Sequence, residues 1–323
     1  MPPFGANPAG RRLFVREAAT RCRAFLQMRA GVPMKQKRQI RIIALVCCIF
    51  AVQSTLFEAV AHSPEYEAVA PPSESNKYVL SLAHRGASGF APENTLSAFD
   101  LAVRLKADYL ELDVQMSKDG HLVVIHDTMV NRTTDGEGKV KNLTFDQLRS
   151  LDAGMWFDPF FAGERIPAFG EILDRYRGRI GMVIEIKQPE LYPGIEEKIA
   201  GELAARGMHA PDGDSVIVQS FDLRALRHFH TLLPFVPLGL LISRASDSTD
   251  RRLDEFAKLV RFVNPVRNLV NESLIDRIHA RGMSAFVWPI RKRKYVNGLI
   301  ADGVDGLITD YPDVVTSARN GWR

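Results

Sequence analysis

The feature that most constrains the fold is a series of eight short β-rich segments, most of them followed by a stretch with helical periodicity. Apolar residues run almost without interruption through each segment, which is typical of strands buried on both faces of a parallel sheet. The segments are 78–83, 109–114, 181–187, 215–221, 237–242, 260–265, 284–289 and 304–309. Amphipathic stretches lie between them at 94–105, 196–205, 223–230 and 273–281. Eight βα units in about 235 residues predict an α/β fold, a (βα)8 TIM barrel.

One region interrupts the alternation between the second and third of these barrel strands. It extends from about residue 115 to 179 and is rich in Gly, Asp and aromatic residues. Near its start, Asp119-Gly120 is a hairpin turn signal that is followed by a short β-rich run at 122–125. We therefore predict a small inserted subdomain after the second strand, over the barrel mouth, within a barrel domain of residues 78–318.

The positive charge of the chain is concentrated at its N-terminal end. Residues 1–61 contain ten Lys and Arg residues and two acids, whereas the remainder contains 32 bases and 36 acids. The pI of about 9.0 therefore reflects this leader rather than the predicted barrel. A mildly acidic barrel argues against nucleic-acid binding by a general basic field.

The leader has the pattern of a secretory signal peptide. A basic segment at 35–41 precedes eleven apolar residues at 42–52, and Ala59-Val60-Ala61 resembles a cleavage site. As a helix, this apolar run spans only about 16 Å of a hydrocarbon core of roughly 30 Å, so an uncleaved anchor is the weaker alternative. We predict an exported protein, periplasmic or secreted, with Met34 as an alternative start and 62–77 as a linker. The three cysteines all precede residue 61, so cysteine chemistry is excluded from the mature chain.

Charged and histidine side chains lie at or just after the C-terminal ends of several predicted strands, which is where barrel enzymes place their active sites. They are His84, Arg85, Glu111, Asp113, His126, Glu185 and Lys187. Residues two apart on a strand point to the same side, so Glu111 and Asp113 point together. Three carboxylates at one mouth would repel one another unless a cation lay among them. Carboxylate oxygens favour a hard divalent ion, Ca²⁺ or Mg²⁺, over zinc.

The remaining polar residues fit a phosphate-binding site. Arg85 and Lys187 add fixed positive charge beside the predicted metal, and His84 and His126 are available as a general acid and base. Taken singly, a Glu-x-Asp pair or a histidine at a strand end is usually structural. The seven residues come from four segments, at 84–85, 111–113, 126 and 185–187. The convergence of these four segments on one barrel mouth favours an active site.

Through these residues the sequence resembles the glycerophosphodiester phosphodiesterases. The matching motifs occur in order at 84–99, 111–120, 123–127, 131–134, 184–187, 219–221 and 303–310. The similarity covers about residues 78 to 315 and implies a (βα)8 barrel with a small inserted domain. It also implies that Glu111, Asp113 and Glu185 bind a divalent ion. The acid/base pair would be His84 and His126, and the phosphate ligands Arg85 and Lys187.

The resemblance also places Trp288 in the substrate pocket, although a packing role at the barrel mouth is the alternative. After this residue the chain departs from the family pattern of small polar residues, with the sequence Pro-Ile-Arg-Lys-Arg-Lys at 289–294. Such a basic segment is typical of a solvated helix start. Its second interpretation is recognition of an additional anion, such as a second phosphate or a lipid surface.

The predicted activity is metal-dependent hydrolysis of a small glycerophosphodiester to glycerol 3-phosphate and an alcohol. One alternative is a phospholipase C- or D-like phosphodiesterase that acts on intact lipid, with weak membrane-surface contact through an apolar rim at 155–157 and 160–161. A second alternative is a non-catalytic protein that binds phosphodiesters, which the presence of all five acid, base and metal residues disfavours. The oligomeric state stays open.

Overall fold

A sheet of eight parallel strands that curves into a barrel is the central feature of the fold. The computed structural model describes residues 78–212 and 215–319. The strands are β1 (Leu80–Ala83), β2 (Tyr109–Met116), β3 (Leu122–Val124), β4 (Gly181–Ile186), β5 (Val216–Ser220), β6 (Leu238–Ile242), β7 (Phe262–Pro265), β8 (Phe286–Ile290) and β9 (Gly306–Thr309). All except β3 belong to the parallel barrel, in the order β7-β6-β5-β4-β2-β1-β9-β8.

Single β-bridges connect the two ends of this strand order. Val266 pairs with Trp288, and Phe262 pairs with Ser284, both in parallel orientation between the segments of β7 and β8. The barrel is therefore nearly closed, and the predicted (βα)8 fold is confirmed. The leader at 1–61 and the linker at 62–77 lie outside the described residues, so export stays a prediction.

Helices cover the outside of the barrel. They are α1 (Leu96–Arg104), α2 (Phe145–Ser150), α3 (Phe169–Tyr176), α4 (Ile195–Ala205), α5 (Leu223–Leu232), α6 (Asp250–Phe256), α7 (Glu272–His279), α8 (Val296–Ala301) and α9 (Pro312–Arg319). The four helices predicted from periodicity are present as α1, α4, α5 and α7. Side-chain caps explain three of their starts, because Thr95, Asp222 and Asn271 each accept a bond from a backbone N–H of the first turn. No helix in the described part of the chain is long and apolar enough to cross a membrane.

The barrel interior below the mouth is apolar. Its buried side chains are Leu82, Val183, Ile217, Phe262, Phe286 and Ile308. His84, just after β1, lies two residues beyond Leu82. In the same way Glu185 lies two residues beyond Val183, and Gln219 two beyond Ile217. Because alternate residues of a strand share a face, the same period that fills the interior with apolar groups brings polar groups to the mouth.

The inserted segment has a small core of its own. Strand β3 pairs antiparallel with β2, and the turn between them has Gly120 at φ +84°. Buried residues from Val123 to Ile166 form a cluster separate from the barrel core. Helix α3, which falls within the range 115–179, packs its buried face into the main core instead, as the second barrel helix does in this fold.

The interior cluster predicts a stability effect at Phe286. Its ring stacks on Phe262 with a centroid separation of 4.6 Å and is 1% exposed. We expect Phe286→Ala to lower the free energy of unfolding by about 3–5 kcal/mol, because a cavity remains where the ring lay. Urea denaturation measures the change. Phe160→Ala, at a ring that is 68% exposed, is the control and should change stability little; equal losses in both variants would contradict the packing argument.

Candidate active site

Strands β2 and β4 bring three carboxylates together at the barrel mouth. Glu111 and Asp113 alternate on β2, and Glu185 on β4 lies directly opposite Asp113 in the parallel register. Each of the three offers an oxygen within 4.8 Å of the other two, and all three side chains are buried. The residues predicted to bind a metal are thus adjacent in the structure.

Burial and mutual repulsion shift the titration of these groups. Burial raises the pKa of Glu111 well above its ordinary value, and the charges of Asp113 and Glu185 raise it further. Burial likewise raises the pKa of Glu185, to about 7, although Lys187 opposes the shift. Burial also acts to raise the pKa of Asp113, but the charges of Lys187 and Arg85 outweigh it and lower the pKa overall.

Two cations partly compensate the three carboxylates. The Nζ of Lys187 lies 2.8 Å from Glu185 Oε1 and 3.5 Å from Asp113 Oδ1. The backbone N–H of Arg85 donates to Glu111 Oε2 at 2.9 Å, and its Nε lies 3.3 Å from Asp113 Oδ2. That Nε is buried and makes no hydrogen bond to any described residue. Arg85 also adopts φ +56°, a left-handed conformation that non-glycine residues keep chiefly at functional sites.

The donor set fits a hard divalent ion. It consists of carboxylate oxygens alone, all of them on buried side chains that two cations offset only in part. Ca²⁺ and Mg²⁺ prefer such oxygen ligands, whereas zinc prefers nitrogen and sulfur. Glu111, Asp113 and Glu185 are therefore the residues that would hold the ion.

Each of the two predicted acid/base histidines is oriented by a carboxylate. His84 Nδ1 lies 2.6 Å from Asp310 Oδ1, and His126 Nδ1 lies 2.6 Å from Asp127 Oδ1. With Nδ1 engaged, Nε2 of each ring is the nitrogen left for proton transfer. Burial lowers the pKa of His84, with the charge of Arg85 adding to the effect. Burial also lowers the pKa of His126.

Buried amides hold the carboxylates, and the sequence analysis did not assign them a role. Asn94 Nδ2 donates to Asp113 Oδ2 at 2.8 Å, and Gln219 Nε2 donates to Glu111 Oε1 at 3.2 Å. Asn264 in turn donates to Gln219 Oε1 at 2.9 Å. For Gln219 and Asn264 the available signal was a polar residue inside an otherwise apolar strand, because such a residue needs a buried partner.

A fourth buried amide fixes the backbone on which His126 lies. Gln115 Nε2 lies 2.8 to 2.9 Å from the carbonyl oxygens of Ile125, His126 and Asp127, to which it donates. Its own Oε1 accepts from the Tyr192 hydroxyl at 2.6 Å. Gln115 continues the alternation of Glu111 and Asp113 on β2, so the strand that carries two carboxylates also anchors the hairpin that carries a histidine.

Trp288 lies at the rim of the mouth, where it is partly exposed. Its indole N–H donates to the carbonyl of Asn264 at 2.6 Å, and its ring meets Phe221 edge to face at 5.3 Å. The indole is therefore held by strand β7 while Phe221, 47% exposed, extends the aromatic surface. This placement fits both predicted roles, packing and substrate contact.

The basic segment after Trp288 divides into structural and exposed residues. Arg293 pairs with Asp313 at 3.1 Å and lies over the ring of Tyr311. Arg291 and Lys292 are exposed. In the insertion, Met155, Trp156 and Phe160 are exposed as well, although the Trp156 indole donates to the carbonyl of Ala153.

Comparisons with known proteins agree with this geometry. The model of the glycerophosphoryl diester phosphodiesterase family matches residues 84–314. A glycerophosphodiester phosphodiesterase of Bacillus subtilis is 33% identical over 298 residues, which are 88% of this chain and all of that protein. One from Caldanaerobacter subterraneus is 38% identical over 248 residues, 75% of this chain and 98% of that protein.

A solved structure shows the same relationship. A phosphodiesterase of Oleispira antarctica, in complex with the product sn-glycerol-3-phosphate, superposes with a TM-score of 0.68 at 28% identity, covering 75% of this chain and 96% of that one. The ordered motifs and the carboxylate and histidine cluster lie within residues 84–314. The resemblance inferred from sequence is confirmed: the chain belongs to the glycerophosphoryl diester phosphodiesterase family, a family of enzymes.

Proposed function

We propose that this enzyme hydrolyses small glycerophosphodiesters to glycerol 3-phosphate and an alcohol in a reaction that depends on a divalent metal ion. The observation that carries the proposal is one barrel mouth with three buried carboxylates, two cations and two histidines, each histidine backed by its own carboxylate. The sn-glycerol-3-phosphate bound as product by the Oleispira antarctica phosphodiesterase supports the glycerol phosphate product.

Glu111, Asp113 and Glu185 would hold the ion, Ca²⁺ or Mg²⁺. When bound, the ion supplies positive charge that stabilises the charge developing on the phosphate oxygens. Arg85 and Lys187 serve the same oxygens from the protein side. The buried Nε of Arg85 is free to donate to one of them, since no described residue accepts its hydrogen.

The two histidines divide the proton transfers. We assign His84 as the base, which accepts the proton of the attacking hydroxyl, either water or the glycerol hydroxyl of the substrate. We assign His126 as the acid, which donates a proton to the departing alcohol oxygen as its bond to phosphorus breaks. The His84 side chain is 9% exposed and that of His126 is 30% exposed. Solvent therefore reaches His126 more readily, which suits a group that must regain a proton in each cycle.

Trp288 and Phe221 would form an aromatic wall against one arm of the substrate. Their edge-to-face contact holds both rings at the mouth, and the bond from the indole to Asn264 fixes the angle of Trp288. An aromatic face can contact the carbon skeleton of an alcohol without a polar partner of its own.

Action on intact lipid is a second candidate that the exposed side chains of the insertion favour. Met155, Trp156 and Phe160 are 39 to 68% exposed, which suits weak contact with a membrane surface. Hydrolysis of phospholipid vesicles at a rate comparable to that of glycerophosphocholine would distinguish it from the small-molecule activity.

Metal removal tests the reaction class directly. Because three carboxylates would hold the ion, we expect release of glycerol 3-phosphate from glycerophosphocholine to stop in EDTA and to return with Ca²⁺ or Mg²⁺. An enzymatic assay for glycerol 3-phosphate gives the rate. Undiminished release after complete metal removal would contradict the assigned role of the three carboxylates.

The raised pKa values predict that metal affinity depends on pH. In the metal-free protein, burial raises the pKa of Glu185 to about 7, and burial likewise raises the pKa of Glu111 well above its ordinary value. Both must be ionised to bind the ion, so binding releases protons and the affinity should fall as the pH falls through 7, by up to about tenfold per pH unit for each proton.

Isothermal titration calorimetry with Ca²⁺ at several pH values, in buffers of different ionisation enthalpy, measures the affinity and the protons released. Glu185→Gln is the matched variant, since it keeps the shape of the side chain but removes one titrating group and should reduce the number of protons released. An affinity independent of pH across this range would contradict the assigned ligand set.

Removal of either histidine should lower turnover while leaving metal binding intact. For both His84→Ala and His126→Ala we expect kcat to fall by about 10²- to 10⁴-fold, which is the usual contribution of general acid/base catalysis. Calorimetric Ca²⁺ affinity should stay close to that of the wild type. His121→Ala, at a side chain of the insertion that is 58% exposed, is the control and should keep full activity. Near wild-type kcat in both site variants would refute the acid/base assignment.

A further inference from the structure

One exposed guanidinium connects the insertion to the loop after β1. Arg132, in the insertion, donates to Asp127 from Nε at 2.6 Å and from Nη2 at 3.1 Å. Its other edge donates to Glu93 from Nη1 at 2.8 Å and from Nη2 at 2.7 Å. A planar group bound in pairs along both edges has a defined orientation, which a lysine ammonium cannot reproduce.

Each of these carboxylates makes one further contact, and both contacts lead into the site. Asp127 Oδ1 lies 2.6 Å from His126 Nδ1. Glu93 Oε1, which accepts from Arg132, also accepts from Arg85 Nη1 at 2.7 Å. Arg132 is therefore one carboxylate away from the assigned acid and one carboxylate away from the assigned phosphate ligand.

The carboxylate of Asp127 needs this support. It is adjacent to His126 in the chain, and its side chain is 31% exposed, so the fold does not enclose it. The paired bonds from Arg132 occupy both of its oxygens and leave Oδ1 facing the imidazole. The same guanidinium is the main reason that the pKa of Asp127 falls to about 2, so the group is a carboxylate under all working conditions.

We propose that Arg132 is a positioning residue that aligns His126 for proton donation through Asp127, while Glu93 holds the other edge of its guanidinium. The inference rests on the proposed function, because it assigns Arg132 to the protonation of the departing alcohol. The competing interpretation is a purely structural ion pair that joins the insertion to the barrel. The two differ in which substrates lose rate when Arg132 is replaced.

The test uses two substrates whose leaving groups differ in their need for an acid. Choline leaves glycerophosphocholine as a basic alkoxide unless it is protonated, whereas p-nitrophenolate leaves the p-nitrophenyl ester of glycerol 3-phosphate without a proton. For Arg132→Gln we expect kcat on glycerophosphocholine to fall by about 10- to 100-fold, a typical effect of losing a group that orients a site residue. On the p-nitrophenyl ester kcat should stay within about threefold of wild type, because the acid step is not needed.

Two further variants of the full chain separate orientation from charge and from folding. Arg132→Lys keeps the positive charge but not the paired hydrogen bonds of the planar guanidinium, and it should recover little of the lost kcat. In Asp127→Asn the same selective loss should appear, and the double variant with Arg132→Gln should be no slower than the worse single variant, because both act through one chain of contacts.

The control is Arg165→Gln. This arginine also belongs to the insertion, but it donates to the backbone carbonyls of Ser150 and Leu151. Its replacement should therefore leave kcat unchanged on both glycerophosphocholine and the p-nitrophenyl ester. Thermal denaturation gives the unfolding midpoint of each variant. All kcat values are then measured at a temperature below the lowest midpoint, so that loss of folded protein does not contribute to the differences.

Equal losses on the two substrates, or full rescue by Arg132→Lys, would overturn the proposal in favour of a structural or simple charge role. Unchanged kcat on glycerophosphocholine in Arg132→Gln would overturn it as well. Failure of the proposed function is seen separately, because wild type and Arg165→Gln would then release no glycerol 3-phosphate from either substrate, and the reaction that Arg132 is proposed to serve would be absent.

Discussion

Repulsion among three buried carboxylates is the constraint on which the rest of this site depends. Glu111, Asp113 and Glu185 lie within contact of one another in a place where water screens them little. Two cations, Arg85 and Lys187, lie against these carboxylates and offset part of their charge. The divalent ion proposed above would relieve the repulsion that is left, and the same two cations would then be available to the phosphate of a substrate.

The barrel supports this arrangement in layers. Apolar side chains fill the interior below the mouth, and above them buried amides such as Gln219 and Asn264 satisfy the carboxylates and one another. At the mouth, each of the two histidines has a carboxylate on Nδ1. Packing and hydrogen bonds thus fix the orientation of both imidazole rings and leave Nε2 of each for the proposed proton transfer.

Much of this was predictable because strand geometry is local. Alternation on β2 and β4 was enough to place Glu111 beside Asp113, and apolar runs separated by amphipathic segments were enough to predict the barrel. The position of helix α3 was harder, because its residues resemble those of the insertion in composition but pack into the main core. Composition reports which residues a segment has, whereas packing depends on which surface the chain meets.

The sequence by itself determined the fold class, the family and the identities of the charged residues at the strand ends, since these follow from short-range period and from ordered motifs. Only the tertiary structure decided which carboxylate orients which histidine. Asp310 reaches His84 across 226 residues, and Glu93 and Asp127 meet through Arg132 although they come from the barrel and the insertion. The first contact depends on pairing of the first and last barrel strands, and the second on packing of the insertion against the loop after β1, so no local pattern in the chain encodes either one.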